Sequence, residues 1–374
     1  MPKLFHKITR SLISLINTIV LVLIALAYLG AYVSPIHISF LSFIGFAFPL
    51  LWISNLFFVI YWALKKRKRF VFSLLALILT WAQWHAVFSF NTGKEVNRSE
   101  LQNPIKVMSY NVRMFDKYVW TKDKTTPQKI YQFIKSQNPD ILCIQEFYIN
   151  NNNPQYSENN IISKFKQFKY KHLEYNIETR SGKKYGLATF SKYPIIFKKP
   201  LAFENTTNLS SQTDINVNGQ KIRVFNNHLE SIRLKRENYN FIDSLEFKSD
   251  KERRKGVYEI FTKLNTAFAH RASQAETIGR HIKNSPYPTI VCGDFNDTPV
   301  SYVYRKVRGS LKDAFMESGN GFGGTYNGNL PSFRIDFIFH APEFRGFNYE
   351  RKKINYSDHY PITTLLELNT QQQK

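Results

Sequence analysis

Polar side chains suited to holding a cation or a phosphate end short apolar runs at several points of this 374-residue chain. Asn111 closes the run that starts at Ile105, Glu146 follows Ile141-Leu-Cys-Ile-Gln145, and His228 follows the stretch around Val224-Phe225. Asp294 and Asn296 follow Thr289-Ile-Val-Cys-Gly293, and Asp358-His359 stand just before the apolar stretch 362–368. An apolar run puts a strand in a core, and the polar residue that ends it emerges at one edge of the sheet. Groups far apart in sequence can converge there. Taken singly, each has an ordinary use: an Asn closes a turn, a carboxylate caps a segment, a His is a hydrogen-bonded core residue. Taken together they are carboxylates, amides and imidazoles with no thiolate cluster, a donor set suited to Mg²⁺ or Mn²⁺. Hydrolysis of a phosphoester needs such a set, to neutralise charge on the phosphate oxygens, place a water in line and stabilise the leaving oxygen.

Seven segments in order carry a resemblance. They are Ser109-Tyr-Asn-Val-Arg113, Ile144-Gln-Glu146, Tyr185-Gly-Leu-Ala-Thr-Phe-Ser-Lys-Tyr-Pro194, Asn227-His-Leu229, Gly293-Asp-Phe-Asn-Asp297, Arg334-Ile-Asp-Phe-Ile338 and Ser357-Asp-His-Tyr-Pro361. From residue 105 to about 368 the chain resembles the endonuclease/exonuclease/phosphatase superfamily, which includes DNase I-like nucleases, apurinic endonucleases, neutral sphingomyelinases and inositol polyphosphate phosphatases. The resemblance implies an α/β (α+β) fold, a four-layered α/β/β/α sandwich of two mixed sheets. It implies Glu146 as the principal metal ligand, with Asn111 beside it and Asp358 as a further ligand. Asp294 and Asn296 would orient or deprotonate the attacking water and hold the phosphate. His228 would donate to a non-bridging phosphate oxygen, and His359, aligned by Asp336, would act as acid, base or transition-state donor. The sequence leaves open which of Asp294 and His359 is the base. His228 stands where the apurinic branch usually has Tyr, so Asn227-His-Leu229 is closer to the nuclease, sphingomyelinase and phosphatase branches.

The elements that must position these groups follow from pattern. Strands are expected at 105–109, 140–144, 185–190, 221–226, 289–292, 334–339 and 362–368. A helix is expected over 127–136, capped by Thr126 with Pro127 at its first position, and a long one from about 254 to 283. Residues 137–146 and 285–294 echo each other, each a helix end, a Pro-containing turn, a buried strand and a carboxylate, which hints at a duplicated half. Residues 231–253 are charged and weakly patterned and read as an exposed insertion.

Residues 1–90 contain no Asp or Glu and only eight Lys or Arg. Three uncharged apolar stretches, 11–33, 38–64 and 70–88, meet or approach the about 20 residues that cross a bilayer. They predict about three transmembrane helices as a membrane anchor over 1–90, with the lipid bilayer as partner through 11–88. A polar linker is expected at 91–104, a catalytic domain at 105–368 and a polar tail at 369–374. Lys3, Lys7 and Arg10 flank the first stretch, and Lys65-Lys-Arg-Lys-Arg69 joins the second to the third. The connection 34–37 has no Lys or Arg. Retention of positive flanks in the cytoplasm then puts the catalytic domain on the extracytoplasmic (periplasmic or outer) face. Trp81 and Trp84 suit an interfacial aromatic belt.

The whole chain carries a formal charge of +23. Such a balance concentrates anionic partners, whether nucleic acid, phospholipid or phosphorylated small molecules, without choosing between them. Cys143 and Cys292 sit in apolar runs and read as core residues. The expected function is a membrane-anchored, nuclease-like phosphodiesterase using water and a divalent metal. The alternatives are a phospholipid or sugar-phosphate hydrolase of sphingomyelinase type and a non-catalytic binding module. Against the module stands the fact that every expected position is filled.

Overall fold

The computed structural model describes residues 2–91, 95–204, 206–232, 238, 241, 249–328 and 331–368. Most of the charged insertion and the tail 369–374 therefore lie outside the described residues. The helices are α1 (Pro2–Gly30), α2 (Phe40–Leu64), α3 (Phe70–Leu79), α4 (Trp81–Val87), α5 (Thr126–Gln137), α6 (Glu158–Ser163), α7 (Asp250–Lys283), α8 (Tyr302–Arg308) and α9 (Ala314–Ser318). The strands are β1 (Phe88–Ser89), β2 (Ile105–Asn111), β3 (Ile141–Asn150), β4 (Tyr170–Glu178), β5 (Lys183–Ser191), β6 (Ile195–Ala202) and β7 (Leu209–Val217). They continue with β8 (Gln220–His228), β9 (Thr289–Asp294), β10 (Lys312–Asp313), β11 (Gly321–Phe322), β12 (Asp336–His340), β13 (Phe344–Arg351) and β14 (Ile362–Leu368).

Two six-stranded sheets, ordered β13-β14-β2-β3-β5-β4 and β10-β12-β9-β8-β7-β6, form the inner layers. Each has one parallel pair at its centre, β2 with β3 and β8 with β9, flanked by antiparallel neighbours. Parallel neighbours need a crossover, and α5 and α7 supply the two. The echo between 137–146 and 285–294 is thus two equivalent central strands, β3 and β9. Apolar side chains of both sheets, among them Val107, Cys143, Val224 and Val291, share one core that also takes Ala275 and Ile278 of α7. A second core of Met108, Leu142 and Ile144 packs on Ile130 and Ile134 of α5. The architecture is the expected four-layered α/β/β/α sandwich with apolar helices ahead of it. Both cysteines are free and buried in the shared core.

All seven expected strands are present, most of them longer at one or both ends. Strands β4, β7 and β13 carry no continuous apolar run, β6 has only the short Ile195-Ile-Phe197 at its start, and pattern did not find them. β6 is a mostly exposed edge strand, and β7 buries Ser210, Ser211, Gln212 and Thr213 between two partners. Backbone pairing, which any side chain permits, holds such strands. The α5 cap is Thr125 rather than Thr126, which is the first helical residue, and the Thr125 side chain makes no capping bond. Instead Asp123 accepts from both the Thr125 N–H and its hydroxyl. α7 starts four residues earlier than expected, where Ser249 and Glu252 form a capping box.

Helices α1 and α2 are long and apolar enough to cross a membrane, and α3 with α4 pass the same test only as a pair bent by 60° at Thr80. Their outward faces carry exposed Leu12, Ile19, Leu50, Phe57 and Phe72. Their packed interior holds a small polar network. Asn17 donates to Ser73 and accepts from the Trp62 indole, and Asn55 donates to the Ser73 carbonyl. Trp84 is buried against Trp52, ring centroids 4.1 Å apart, so of the two tryptophans only Trp81 presents an exposed ring. The segment expected as linker is docked along its described part. β1 pairs with β11, and Asn91 donates to the Met316 and Gly319 carbonyls. Val96 and Asn348 exchange hydrogen bonds.

Candidate functional site

The eight residues singled out in sequence lie together at one edge of the sandwich. β2 ends on Asn111, β8 on His228 and β9 on Asp294, while β12 begins on Asp336 in antiparallel register with Asp294. Glu146 lies inside β3, at a bulge. Ile144 pairs with Ala188, the next pair is Phe147 with Gly186, and Glu146 has φ +52°. The extra residue turns the carboxylate to the sheet edge instead of the core. Gly186 belongs to the same device, because a Cβ there would lie 1.8 Å from the Glu174 carbonyl oxygen. Gly293 serves β9 likewise: it has φ +141°, and a Cβ would meet the Asn227 carbonyl oxygen at 2.0 Å. The glycines in the Tyr185-Gly and Gly293-Asp motifs are therefore needed by backbone approach.

From Asn111 outwards the polar atoms form one chain. Asn111 Nδ2 donates to Glu146 Oε1 at 3.2 Å and to Asp294 Oδ2 at 3.0 Å. Its carbonyl oxygen accepts from the Arg113 N–H, and Ser357 Oγ donates to its backbone oxygen. Asp294 Oδ2 stands 3.7 Å from His228 Nε2 and 3.6 Å from His359 Nε2. The opposite nitrogen of His359 bonds Asp336 Oδ2 at 2.9 Å. Asn296, also left-handed at φ +52°, gives its N–H to Asp294 Oδ1 and its side-chain amide to the Leu229 carbonyl. Asp358 lies beside this chain, ion-paired with Arg113 at 3.2 Å.

Charge in the cluster is strongly uneven. Burial, then the neighbouring Asp358, push the Glu146 carboxyl up to about 7. Burial also raises Asp294 against the opposing charge of His359. His359 is buried, which favours its neutral form, but Asp336 and Asp294 outweigh that and hold it charged well above the usual imidazole range. His228 is pushed the other way by burial, so it is a neutral imidazole near pH 7. A divalent cation is the natural relief for carboxylates crowded in this way. The donor set fits Mg²⁺ or Mn²⁺: Glu146, Asp294, Asp336 and Asp358 offer oxygens. Among the described residues, Asp294, Asp336 and His359 bring ligand atoms within 4.8 Å of one another. That trio differs from the sequence-expected ligands Asn111, Glu146 and Asp358. Its His359 and Asp336 are already bonded to each other, whereas Glu146 has the Asn111 amide at 3.2 Å and His228 Nε2 at 4.0 Å.

Two buried arginines support the site: sequence reading missed Arg271, and quoted Arg334 in the Arg334–Ile338 segment without its partner. Arg271 of α7 bonds Asp297 at 3.1 Å and the Glu230 carbonyl at 2.9 Å, tying the exits of β8 and β9 together. Arg334 is paired with Asp313, which also accepts from Tyr304. Nothing in a basic, amphipathic helix pattern marks Arg271, because its partner lies 26 residues on. Arg113, by contrast, is in the quoted Ser109–Arg113 segment, and only its pairing with Asp358 was out of reach. A recess of about 150 Å³ opens beside Glu146 and His228, walled in part by Met114, Tyr185 and Leu209. A larger cleft, about 840 Å³, lies at the far end of the helices among Arg10, Lys66, Arg67, Lys68 and Arg69. It holds no carboxylate and so lacks the groups this chemistry needs.

Comparison with known proteins agrees with this arrangement. The model of the Endonuclease/Exonuclease/phosphatase family matches residues 108–359, more than half of the chain. A family described only as a domain of unknown function matches residues 10–87. No match was found among curated proteins. An endonuclease/exonuclease/phosphatase from Beutenbergia cavernae is similar in structure, with a TM-score of 0.52 at 15% identity, covering 71% of this chain and 72% of that one. A protein of the same description from Bacteroides vulgatus gives 0.47 at 17%, covering 71% and 100%. The human Nocturnin catalytic domain with bound sulfate gives 0.49 at 16%, covering 72% and 96%.

Proposed function

Because the chain belongs to the endonuclease/exonuclease/phosphatase family, we propose that it is a membrane-anchored phosphoester hydrolase that uses Mg²⁺ or Mn²⁺ and attacks phosphorus with water. The observation that carries this reading is the continuous polar chain from Glu146 through Asn111, Asp294 and His359 to Asp336, assembled from five separate segments. Glu146 would be the principal ligand, with Asn111 and Asp358 beside it. The cation supplies charge neutralisation at the phosphate oxygens.

The chain's own residues divide the remaining work by protonation state. Asp294, held by the Asn296 N–H, accepts a proton from the water as its oxygen bonds to phosphorus. His359, kept charged by Asp336, donates to the developing charge, and the phosphorus bond to the leaving oxygen breaks. Neutral His228 gives its hydrogen bond to a non-bridging oxygen, and Asn296 holds the phosphate. Coupled titration makes the pair Asp294–His359 the acid–base unit.

The anchor reading rests on α1, α2 and the bent α3–α4 pair. The hydrolase packs on the end of the bundle that carries the uncharged connection. Arg305 lies over Tyr32 at 3.7 Å, and Phe43 and Phe46 contact its aromatic side chains. The basic residues 65–69 lie at the opposite end of α2. Positive flanks in the cytoplasm then favour an extracytoplasmic catalytic domain. The test is the full-length protein in detergent with Mg²⁺ or Mn²⁺ and a panel of bis-p-nitrophenyl phosphate, DNA, RNA, phospholipids and sugar phosphates. Metal-dependent turnover of at least one substrate is expected, with a loss of about 100-fold or more in Glu146→Ala and His359→Ala. Full activity in Glu146→Ala overturns the reading.

A further inference from the structure

We infer that the cleft works at the depth of lipid headgroups, on a phosphoester carried by a membrane amphiphile. This rests on the reading of the chain as an anchored phosphoester hydrolase and names the substrate class of that same site. The argument begins with the length of α2. It has 25 residues, Phe40–Leu64, and is followed directly by the basic connection. A hydrocarbon core of about 30 Å takes about 20 helical residues at about 1.5 Å each. Counted from Leu64, the hydrocarbon ends near Gly45, between Phe43 and Phe46.

Those two rings are the ones the hydrolase grips. Phe43 stacks on Phe261 at 4.7 Å and meets Phe268 at 5.0 Å, and Phe46 meets Phe268 at 5.7 Å and Phe333 at 5.4 Å. The hydrolase is therefore seated at the hydrocarbon boundary. Phe333 is linked to the catalytic groups through Tyr326. Its carbonyl accepts from the Thr325 and Tyr326 N–H groups, and the Tyr326 ring stands edge-on to His359 at 5.6 Å. Asp336, the partner of His359, is three residues along from Phe333, at most about 10 Å of extended chain. The headgroup layer on one side of a bilayer is about 5 to 8 Å thick. His359 and Asp336 thus fall at or just beyond headgroup depth.

The face of α7 that makes these contacts extends the same surface. Val257, Phe261, Leu264 and Phe268 share one face of α7 by their spacing, and the last turns of that face are the ones that touch Phe43. The stripe continues outward as Val257, 54% exposed, with Tyr258 beside it at 72%. Exposed Lys251, Arg253, Arg254 and Lys255 flank it together with exposed Asp250 and Glu252, Arg253 lying 3.8 Å from Asp250, so the flank is net positive. An apolar stripe bordered by cations is the pattern of a helix lying in the headgroup boundary of an anionic bilayer. A substrate confined to that layer arrives with its ester already at the right depth, whereas one free in solution must find a cleft held against the lipid.

The test uses the full-length protein in phosphatidylcholine vesicles containing phosphatidylglycerol, with Mn²⁺ and two diesters that share a leaving group. One is hexadecyl p-nitrophenyl phosphate in the vesicle, the other methyl p-nitrophenyl phosphate in solution. With the alkyl ester's concentration counted over the lipid volume, its kcat/KM is expected to exceed that of the methyl ester by about tenfold or more. Equal or lower values, or hydrolysis of neither ester, overturn the inference, while the hydrolase reading stands or falls separately on the substrate panel. Depth is read separately. Because the native cysteines are buried, a fluorophore can be placed on Tyr258→Cys or on Lys221→Cys, which lies at the opposite end of β8 from His228. Headgroup spin-labelled lipid should quench the first and spare the second, and equal quenching overturns the inference even where both esters are cleaved.

Discussion

Glu146 and His359 are both perturbed, in opposite senses, and each shift has a measurable consequence. Glu146 is raised to about 7 by burial and by Asp358, so a cation must displace its proton on binding. Mn²⁺ affinity, followed by electron paramagnetic resonance, should fall about tenfold per pH unit below pH 7 and level off above it. An affinity that stays flat from pH 5.5 to 7.5 removes Glu146 as the principal ligand. His359 owes its raised value to Asp336 and Asp294 against the effect of burial. Asp336→Asn removes one of those negative charges, so the protonated form is lost at a lower pH. The alkaline limb of kcat/KM should move down in pH, with a rate loss of about 100-fold at pH 8. An unmoved limb would assign the limb to another group. Each of these residue types was readable from sequence, since Glu146, Asp294 and His359 end or precede apolar runs. Their protonation was not, because it depends on neighbours 23 to 212 residues away.

At the scale of elements, the strand ends are held by backbone geometry and by two buried arginines. Gly293→Ala puts a Cβ 2.0 Å from the Asn227 carbonyl at φ +141°, in the pair of strands that delivers His228 and Asp294. A loss of roughly 2 kcal/mol or more is expected in chemical denaturation, with activity falling together with folded fraction. Arg334→Met strands Asp313 without its partner and should cost about 3 to 5 kcal/mol. Burial works to raise Asp313, but Arg334 and then Tyr304 outweigh it and leave the carboxyl below its ordinary value. The stability this contributes is therefore present above the ordinary carboxylate pKa and lost as pH falls through the lower folded value. The native protein should lose stability below about pH 4 more steeply than Arg334→Met, in which that linkage is gone. The motifs around Gly186 and Gly293 showed that glycine was required. Only the register of β4 with β5 and of β8 with β9 showed why.

At the scale of the whole molecule, the apolar helices and the sandwich are joined by packing as well as by the chain. Ala27, Leu41, Phe48 and Trp84 form a cluster with Val300, which lies six residues after Asp294. Replacing both Phe43 and Phe46 by Ala should lower the melting temperature of the hydrolase in detergent by several degrees, since aromatic truncations of this kind cost about 3 kcal/mol or more. An unchanged melting temperature would mean that the interface contributes nothing. Orientation is tested by a phosphatase reporter fused after Leu368, expected to be active only in the exported arrangement. A cytoplasmic signal reverses the proposed sidedness.

The sequence by itself determined the family, the sandwich, the apolar helices and the eight polar residues of the cleft. These follow from local order: run, period and adjacent residue survive in one dimension. It left unseen β4, β6, β7 and β13, because edge and polar strands are held by backbone pairing that leaves no side-chain pattern. Tertiary structure alone decided that Arg271 ties two strand exits, that Arg113 pairs with Asp358, and that Ser89, Asn91 and Val96 dock on the sandwich. It alone placed Phe333 between α2 and His359. Each of these is a contact between segments whose separation in sequence carries no record of their distance in space.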